Sequence, residues 1–446
     1  MSERRILLQH ALTVLVGQLA VISFGVTDTI VAGRYDPQAL AALSIGSAIY
    51  ISVYVALMGI MQAILPMLAE LHGAQSHRKI GELFHQGLYL LLCLSLVGTL
   101  VLVSPDFLLG WTKVPDALNQ SVHDYLFLLA IALPAALFFR LFSTLNQSIG
   151  RPKTVAIIQV ASLGIKIPLS VFLTFGFDQF EAQGLEGCAM ATIMVNYAML
   201  LVSLWLLKNS QVYRTYGIWQ KPKPPNLKEI TQIAKLGIPN GLSVTVEVTS
   251  FTMMALFIAR LGITASASHQ VAANLAALLY MVPLSFAIAA SARASYWIGA
   301  QNKRMVKKSV TIGFQLLLAI SFTLSTLLWI GKIPLAQIYV KDPEVMKVTA
   351  QLIGLVALYH ASDAIQTMCF FVLRSLKVVF IPFLIYTCLL WGLGLGGGFW
   401  LAYELEWNLS NSPAAFWVSS SVALMGVSVC LLGLLRFKLR QFATQS

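Results

Sequence analysis

Long apolar runs alternate with short polar segments along the whole chain of 446 residues. The runs have about 20 residues or more, the length that an α-helix needs to cross a hydrocarbon core of ~30 Å. The pattern predicts helices over residues 6–33, 40–69, 84–104, 122–147, 153–176, 184–207, 231–260, 268–298, 306–331, 346–374, 378–403 and 412–436. The predicted fold is therefore an all-α membrane protein with twelve spans.

Composition supports this class. Apolar residues make up 58% of the chain and charged residues 11%, whereas a soluble protein carries about 25% charge. The first run begins a few residues after Met1 and shows no cleavage site, so we expect it to be retained as a helix. The net charge of +12 could indicate nucleic-acid binding. In a membrane protein it more often reflects basic cytoplasmic segments, and we expect no nucleic-acid partner.

The distribution of Lys and Arg predicts the orientation. If both termini are cytoplasmic, most basic residues fall on cytoplasmic segments. The opposite side then holds only Arg34, Lys113, Arg260, Lys332, Lys341 and Lys347. This asymmetry is the positive-inside pattern, and it also favours an even number of spans.

The two halves of the chain repeat each other. A constant offset of 226 relates Arg34 to Arg260, Gly73-Ala74-Gln75 to Gly299-Ala300-Gln301, Arg78 to Arg304 and Gly87 to Gly313. We predict an N-lobe over 1–208, a cytoplasmic basic, Pro-rich linker over 209–228 and a C-lobe over 229–446. Six spans per half is an even number, so the lobes enter the membrane in the same direction. This parallel repeat is typical of transporters with a cleft between two lobes.

Three acids lie alone inside predicted spans: Asp28, Glu247 and Asp363. Glu247 has no charged neighbour in sequence closer than Lys235 or Arg260. Burying a carboxylate in lipid costs at least a few kcal/mol, so such residues usually face a wet cavity and have a function there. Each acid could bind a cation or proton. It could instead hold helices together through a pair.

Tyr359 and Asp363 are one helical turn apart and therefore share a face. A phenol can help to ligate a hard cation or orient a carboxylate, although a core tyrosine beside an acid remains the alternative. We predict one C-lobe cation site formed by Glu247, Tyr359 and Asp363, at which a sodium ion could bind between the two acids. Two carboxylates in a low-dielectric site cannot both be ionised cheaply unless a cation is bound.

Lys166 stands 12 residues into its helix, hence ~18 Å deep at 1.5 Å per residue. That depth exceeds easy snorkelling to the headgroups. Asp28 lies at a similar depth in the same half, so we predict that Lys166 pairs with Asp28 and holds it ionised. The pair would be an N-lobe proton or substrate site. The alternative is that Lys166 contacts only backbone carbonyls and water.

No enzyme signature is present: the chain lacks HExxH, GxSxG and Walker motifs, and we expect no catalytic residue and no cofactor. A cavity for flat cations should be apolar, with aromatic and methionine side chains. Met253, Met281 and Phe286 are tentative candidates, although most such residues in a helix bundle are packing.

Several segments resemble one transporter family. They are VTDTIVAGR, LGIPNGLSVTVEVTSF, SASHQVAANLAALLYMVPLSFAIAASARASYWIGA and the Tyr359/Asp363 pair. Together they are similar to the NorM-type bacterial branch of the multidrug and toxic-compound extrusion (MATE) family, from about Ile6 to Arg436. The resemblance implies two six-helix lobes in a bacterial inner membrane and a monomer that exports organic cations against sodium or proton entry.

The resemblance also implies roles for residues. Glu247, Tyr359 and Asp363 match the family's C-lobe cation site, and Asp28 matches its N-lobe acid. Members of this branch usually have asparagines in the fifth helix, where this chain has Lys166 and Ser170. An early proline common in the first helix is replaced by Thr13.

An alternative function is a flippase for a lipid-linked precursor, from the same superfamily. Such flippases often have a strongly basic cavity for pyrophosphate. The three buried acids and one lysine expected here favour cationic cargo. The sequence leaves open whether sodium or protons are coupled and which compounds are carried.

Overall fold

The computed structural model describes residues 2–106, 116–177, 180–220, 222–405 and 409–444. Among these residues, twelve helices are long and apolar enough to cross a membrane, which confirms the predicted number. They are α1 Glu3–Tyr35, α2 Pro37–Gly73, α3 His77–Val103, α4 Asp116–Ser148, α5 Pro152–Phe175, α6 Gly184–Asn209, α7 Leu227–Ala259, α8 Ile263–Gly299, α9 Lys303–Ile330, α10 Pro343–Ser375, α11 Phe380–Glu404 and α12 Ala414–Thr444. Short helices cover Gln211–Arg214 and Lys332–Tyr339. Lys113, named above for its charge, lies outside the described residues.

Two of the helices begin at the same local signal. Asp36 precedes Pro37 at the start of α2, and Asp342 precedes Pro343 at the start of α10. Each aspartate accepts hydrogen bonds from two backbone N–H groups of the first turn. Proline at the first helical position costs no hydrogen bond, because the N–H that it lacks would have no partner within the helix. An Asp-Pro dipeptide after a polar break thus fixes both helix starts.

Two helices depart from regular α geometry. The α-helical hydrogen bonding of α2 is interrupted at Ala63, three residues before Pro66. Proline has no backbone N–H, so it cannot donate a hydrogen bond to the carbonyl four residues earlier. In α11, residues Thr387–Gly396 form a π-helix, and this stretch contains glycines whose lack of a Cβ tolerates wider turns. The apolar pattern predicted α11 but not its wide turns.

The internal repeat is visible in the backbone. Gln75 has φ of 56° and Gln301 has φ of 55°, a left-handed conformation that is uncommon outside glycine. Both glutamines occupy the tight turn between consecutive helices, α2 to α3 and α8 to α9. The two turns are 226 residues apart. The two halves therefore share a local backbone structure at this offset as well as residue types.

The described chain forms two compact units. The N-unit comprises residues 16–241, and the C-unit comprises residues 1–15 together with 242–446. The lobe boundaries predicted above at residues 208 and 229 stay a prediction.

In the N-unit, a core of Leu, Ile, Phe and Ala side chains lies around α4. The first part of α7 belongs to this unit and packs tightly on α2: a Cβ added to Gly237 would meet the Ile60 carbonyl at 2.7 Å, and one added to Gly241 would meet the Ala56 carbonyl at 2.8 Å. In the C-unit, α10 is the central helix, since most of its residues from Thr349 onward are buried.

Candidate functional site

Asp28 on α1 and Lys166 on α5 form an ion pair inside the N-unit. The Lys166 ammonium lies 2.8 Å from Asp28 Oδ1, and the lysine has no exposed surface. Lys166 also donates to the Cys188 carbonyl at 3.0 Å and to Thr192 Oγ1 at 2.6 Å. An ammonium has three N–H donors, and each has an acceptor here. The contact predicted from the shared depth is present, and its role in transport stays a prediction.

Ser170 completes the surroundings of the pair. It follows Lys166 by four residues, so both side chains leave the same face of α5. The Ser170 hydroxyl donates to Asp28 Oδ1 at 3.3 Å. Asp28 thus accepts from two side chains of one helix, and its carboxylate connects α1 to α5 at this depth.

Glu247 on α7 and Tyr359 and Asp363 on α10 form a second site, inside the C-unit. The Phe251 ring meets the Tyr359 ring edge-on, with centroids 5.9 Å apart. Phe251 follows Glu247 by one turn, and Asp363 follows Tyr359 by one turn on a helix that runs in the opposite direction. The contact at Phe251 and Tyr359 therefore brings Glu247 and Asp363 to one level, where their charges interact.

The two acids have different surroundings. Asp363 is 3% exposed and accepts a 2.8 Å hydrogen bond from Gln366 Nε2, whereas Glu247 is half-buried. Among the described residues, neither acid forms a salt bridge. Gln366 is itself fully buried, and within the described part of the chain its Oε1 has no hydrogen-bond partner. An unsatisfied amide oxygen therefore lies next to the Asp363 carboxylate.

Further tyrosines surround this site. Tyr280 on α8 and Tyr386 on α11 lie near both Glu247 and Asp363. Neither tyrosine was expected from the sequence, because each lies on a helix without a buried acid of its own. Gln366 was also missed, although it follows Asp363 by three residues and so shares its helix face.

An aromatic cluster borders the site next to Tyr359. The Trp417 ring lies 5.7 Å from the Tyr359 ring and 6.2 Å from the Phe251 ring, both edge-on. Its indole N–H donates to His269 Nδ1 at 3.2 Å, so the polar edge of a fully buried tryptophan is satisfied. The three packed rings hold the Tyr359 ring on the helix face that it shares with Asp363.

The three tentative cavity residues differ in exposure. Met253 is 40% exposed, Met281 is half-buried, and Phe286 has no exposed surface. In this structure, Phe286 is core packing of the C-unit. Of the three side chains, only the two methionines have exposed surface in this structure, and a role of the three in binding stays a prediction.

A third ionic cluster was not expected from the sequence. The Glu3 carboxylate forms two hydrogen bonds with Arg293, at 2.9 and 2.6 Å. It also accepts from Trp297 Nε1 at 3.0 Å and from Ser309 Oγ at 2.7 Å. The Arg293 guanidinium lies over the rings of Tyr296 and Trp297. Within the C-unit, these contacts tie the first turn of α1 to α8 and α9.

The C-unit site suits a small monovalent cation. The buried Asp363 and the half-buried Glu247 lie at one level without a basic partner among the described residues, so their ionised forms would need a counter-charge, either a proton on one of them or a bound cation. Among the described residues, no group of three His, Cys, Asp or Glu side chains could hold a metal ion. A sodium ion would therefore need neutral oxygens as well, and the Tyr359 hydroxyl and Gln366 Oε1 are available for this.

Comparisons with known proteins agree with this architecture. The MatE family model matches residues 14–172 and 239–400. A "Probable multidrug resistance protein NorM" of Aromatoleum aromaticum is 37% identical over 437 residues, covering 98% of this chain and 94% of the relative. A "Multidrug resistance protein MdtK" of Yersinia pestis is 29% identical over 446 residues, covering 98% of this chain and 96% of the relative.

Solved structures share the fold at lower identity. A Vibrio cholerae MATE transporter, VcmN in its bent form, aligns with a TM-score of 0.86 at 16% identity, covering 99% of this chain and 98% of that one. The eukaryotic MATE transporter AtDTX14 aligns with a TM-score of 0.86 at 18% identity, with the same coverage.

Proposed function

We propose that this chain, which belongs to the MATE family of membrane transporters, exports amphipathic organic cations in exchange for sodium ions or protons by alternating access. As a family member it is a multi-pass transporter and not an enzyme. Its NorM and MdtK relatives are named multidrug resistance proteins. We extend that role to this chain as multidrug efflux.

The observation that carries the ion coupling is the C-unit site. Glu247 and Asp363 interact in a region where, among the described residues, no basic side chain neutralises them. Such a site changes its charge when an ion enters or leaves. A transporter can therefore link ion entry to drug release: the coupling ion and a cationic drug would compete for the same negative charge, and occupancy by one would favour release of the other.

The N-unit pair has a different proposed role. The Lys166 ammonium satisfies Asp28, and removing either partner would leave a buried charge. We propose that Asp28 stays ionised and paired during coupling at the C-unit site, and that the pair tunes or gates the N-unit. The alternative is that a protonation step breaks the pair, which would make Lys166 part of the switch.

A flippase for a lipid-linked precursor is the less favoured alternative. It would need a strongly basic interior to hold a pyrophosphate. The one lysine buried at mid-depth in the described chain is neutralised by Asp28. The buried Arg374 lies over the Phe371 ring, 4.2 Å from its centroid, near the end of α10 and away from mid-depth.

The proposed location is the inner membrane of a bacterium, with both termini cytoplasmic and a monomer as the functional state. The bacterial relatives support the location, and the uneven distribution of basic residues supports the orientation. No cofactor is proposed, because the driving force would be the ion gradient.

The function is tested with purified protein in sealed vesicles and a fluorescent cationic dye such as ethidium. Sodium and pH gradients are imposed one at a time, in otherwise identical buffers. Dye movement that follows one of the two gradients supports cation-coupled antiport and identifies the ion. Dye movement that ignores both gradients contradicts the proposal.

A further inference from the structure

An open basic cavity of about 460 Å³ lies in the C-unit, between the start of α9 and the last turns of α12. Its lining residues are Lys303, Arg304, Val306, Lys307, Lys308, Thr311, Ile312, Leu439 and Phe442. Four of these side chains are cationic, and none is acidic. Positive charge is thus concentrated around this cavity, at the ends of two membrane helices.

The cavity also has an apolar side. Ile312, Leu439 and Phe442 are half-buried along it, and the Lys303 ammonium lies 6.0 Å from the centre of the Phe442 ring. The apolar part of α9 begins immediately beyond the lysines, so the cavity lies where a helix passes from headgroups into hydrocarbon. A ligand here would meet cations at one end and apolar surface at the other.

The internal repeat provides a comparison within the same chain. The offset of 226 relates Lys303 to His77 and Phe442 to Tyr216, and these equivalent pairs make equivalent contacts. In the N-unit, the His77 and Tyr216 rings lie 5.7 Å apart. In the C-unit, Lys303 and Phe442 form a cation–π contact at the corresponding place. An open cavity of about 780 Å³ adjoins this N-unit turn, so the two cavities are repeats of one feature.

The charges of the two cavities differ at several positions, and at one of them an acid corresponds to a base. Glu82 in the N-unit corresponds to Lys308 in the C-unit. The Glu82 carboxylate lies 2.6 Å from the Lys223 ammonium and 3.9 Å from Arg78 Nε, so that cavity contains its own counter-charge. The linker also bonds to α3, through His85 Nε2 to the Ile218 carbonyl at 2.8 Å. The C-unit cavity has four cations, and one of them, Lys308, occupies the position of the acid.

We infer that the C-unit cavity binds an anionic phospholipid of the adjoining leaflet. Its phosphate contacts Arg304, Lys307 and Lys308, and its glycerol and upper acyl carbons lie against Ile312 and Phe442. Basic cavities at the ends of membrane helices attract acidic headgroups through charge, and phosphate oxygens accept hydrogen bonds from several cations at once. The apolar side distinguishes a lipid from a free phosphate ion. This inference does not depend on the proposed transport function.

The test compares lipid binding by full-length protein that has been delipidated in detergent. Phosphatidylglycerol and phosphatidylcholine are added separately, and bound lipid is measured by native mass spectrometry. We expect retained phosphatidylglycerol and much weaker phosphatidylcholine binding. One positive charge near an anionic surface contributes about fivefold in affinity, so Lys307→Gln with Lys308→Gln should weaken phosphatidylglycerol binding about thirtyfold.

The repeat supplies a matched control. Arg78→Gln with Lys79→Gln removes two positive charges from the equivalent N-unit turn and should leave phosphatidylglycerol binding unchanged. Lys308→Glu would recreate the N-unit arrangement, with an acid one turn after Arg304, and should abolish the preference for the anionic lipid. Thermal melting of each variant checks that the fold is retained.

Two outcomes would overturn the inference. Equal phosphatidylglycerol binding by the Lys307/Lys308 double variant and the Arg78/Lys79 control would mean that the cavity is not the site. Glycerol phosphate or inorganic phosphate that displaces the lipid at equal concentration would identify a site for a free phosphate group.

Discussion

The Lys166 ammonium lies 2.8 Å from Asp28 Oδ1 in the N-unit, and both side chains are buried. At this depth neither residue would be stable alone, because an isolated charge in hydrocarbon costs several kcal/mol. The pair gives Asp28 a counter-charge within the N-unit, because its carboxylate accepts from the Lys166 ammonium and from the Ser170 hydroxyl. The two sites therefore differ in their surroundings: Asp28 has a basic partner, whereas among the described residues neither Glu247 nor Asp363 forms a salt bridge.

The first prediction concerns this pair. Asp28→Asn and Lys166→Met should each destabilise the protein by about 3–5 kcal/mol, since each leaves a buried charge without its partner. The double variant should be more stable than the sum of the single losses by about 2 kcal/mol or more. Unfolding in mixed detergent micelles measures the cycle. Losses that add to within about 0.5 kcal/mol would mean that the two residues do not interact.

The second prediction concerns Glu247. Glu247→Gln keeps the size of the side chain and removes its charge, so the variant should fold but lose ion-coupled export. Export of a cationic dye against an imposed gradient measures the effect, with thermal melting as the check on folding. Glu229→Gln is the matched control, because Glu229 lies near the start of the same helix and contacts Asn226. Full drug resistance in cells carrying Glu247→Gln would exclude the proposed role.

The third prediction separates the two coupling ions. Gln366→Met removes the amide oxygen beside Asp363 and the hydrogen bond at 2.8 Å that orients the carboxylate. If sodium is coupled, the sodium concentration for half-maximal export should rise about tenfold, as is usual when a group that supports a ligand is removed.

Thr349→Val serves as its control, since Thr349 is a buried polar residue near the opposite end of the same helix. A Gln366→Met variant with unchanged sodium dependence would show that the amide is not a ligand and would favour protons as the coupling ion.

The sequence predicted the parts of these sites that depend on position along a single helix. Depth alone indicated that Lys166 needs an acid, and one-turn spacing placed Tyr359 and Asp363 on one face. It did not predict Trp417 or Tyr280, because these side chains reach the site only through the packing of α12 and α8 on α10. Gln366 could have been found, since it is three residues from Asp363. The sequence also suggested Phe286 as a cavity residue; its side chain is buried in the C-unit core in this structure, and its role stays a prediction.

The Glu3 cluster explains why some features could not be predicted at all. Glu3 lies in the short polar segment before the first apolar run, where a charged residue is normally exposed. Its partner Arg293 is 290 residues away, and only the folded C-unit brings the two together. Nothing close to Arg293 in the sequence indicates an acidic partner, because the chain has no acid between Glu247 and Asp342.

The last prediction follows from that cluster. The Glu3 carboxylate accepts from four donors on three residues, Arg293, Trp297 and Ser309, and Glu3 is only 8% exposed. Glu3→Gln removes the charge, so it leaves a largely buried guanidinium without its acid and should destabilise the C-unit by about 3 kcal/mol. Arg4→Gln changes one charge at the exposed neighbouring position and should cost at most about 0.5 kcal/mol.

Hydrogen exchange of the α1 amides gives the more specific measurement. With the cluster intact, the first turns of α1 should be protected together with α8 and α9. In Glu3→Gln these turns should exchange faster, while amides near Lys166 in the N-unit stay unchanged. Equal protection of the first turns in Glu3→Gln and Arg4→Gln would mean that apolar contacts hold this end of α1 and that the ion pair adds nothing.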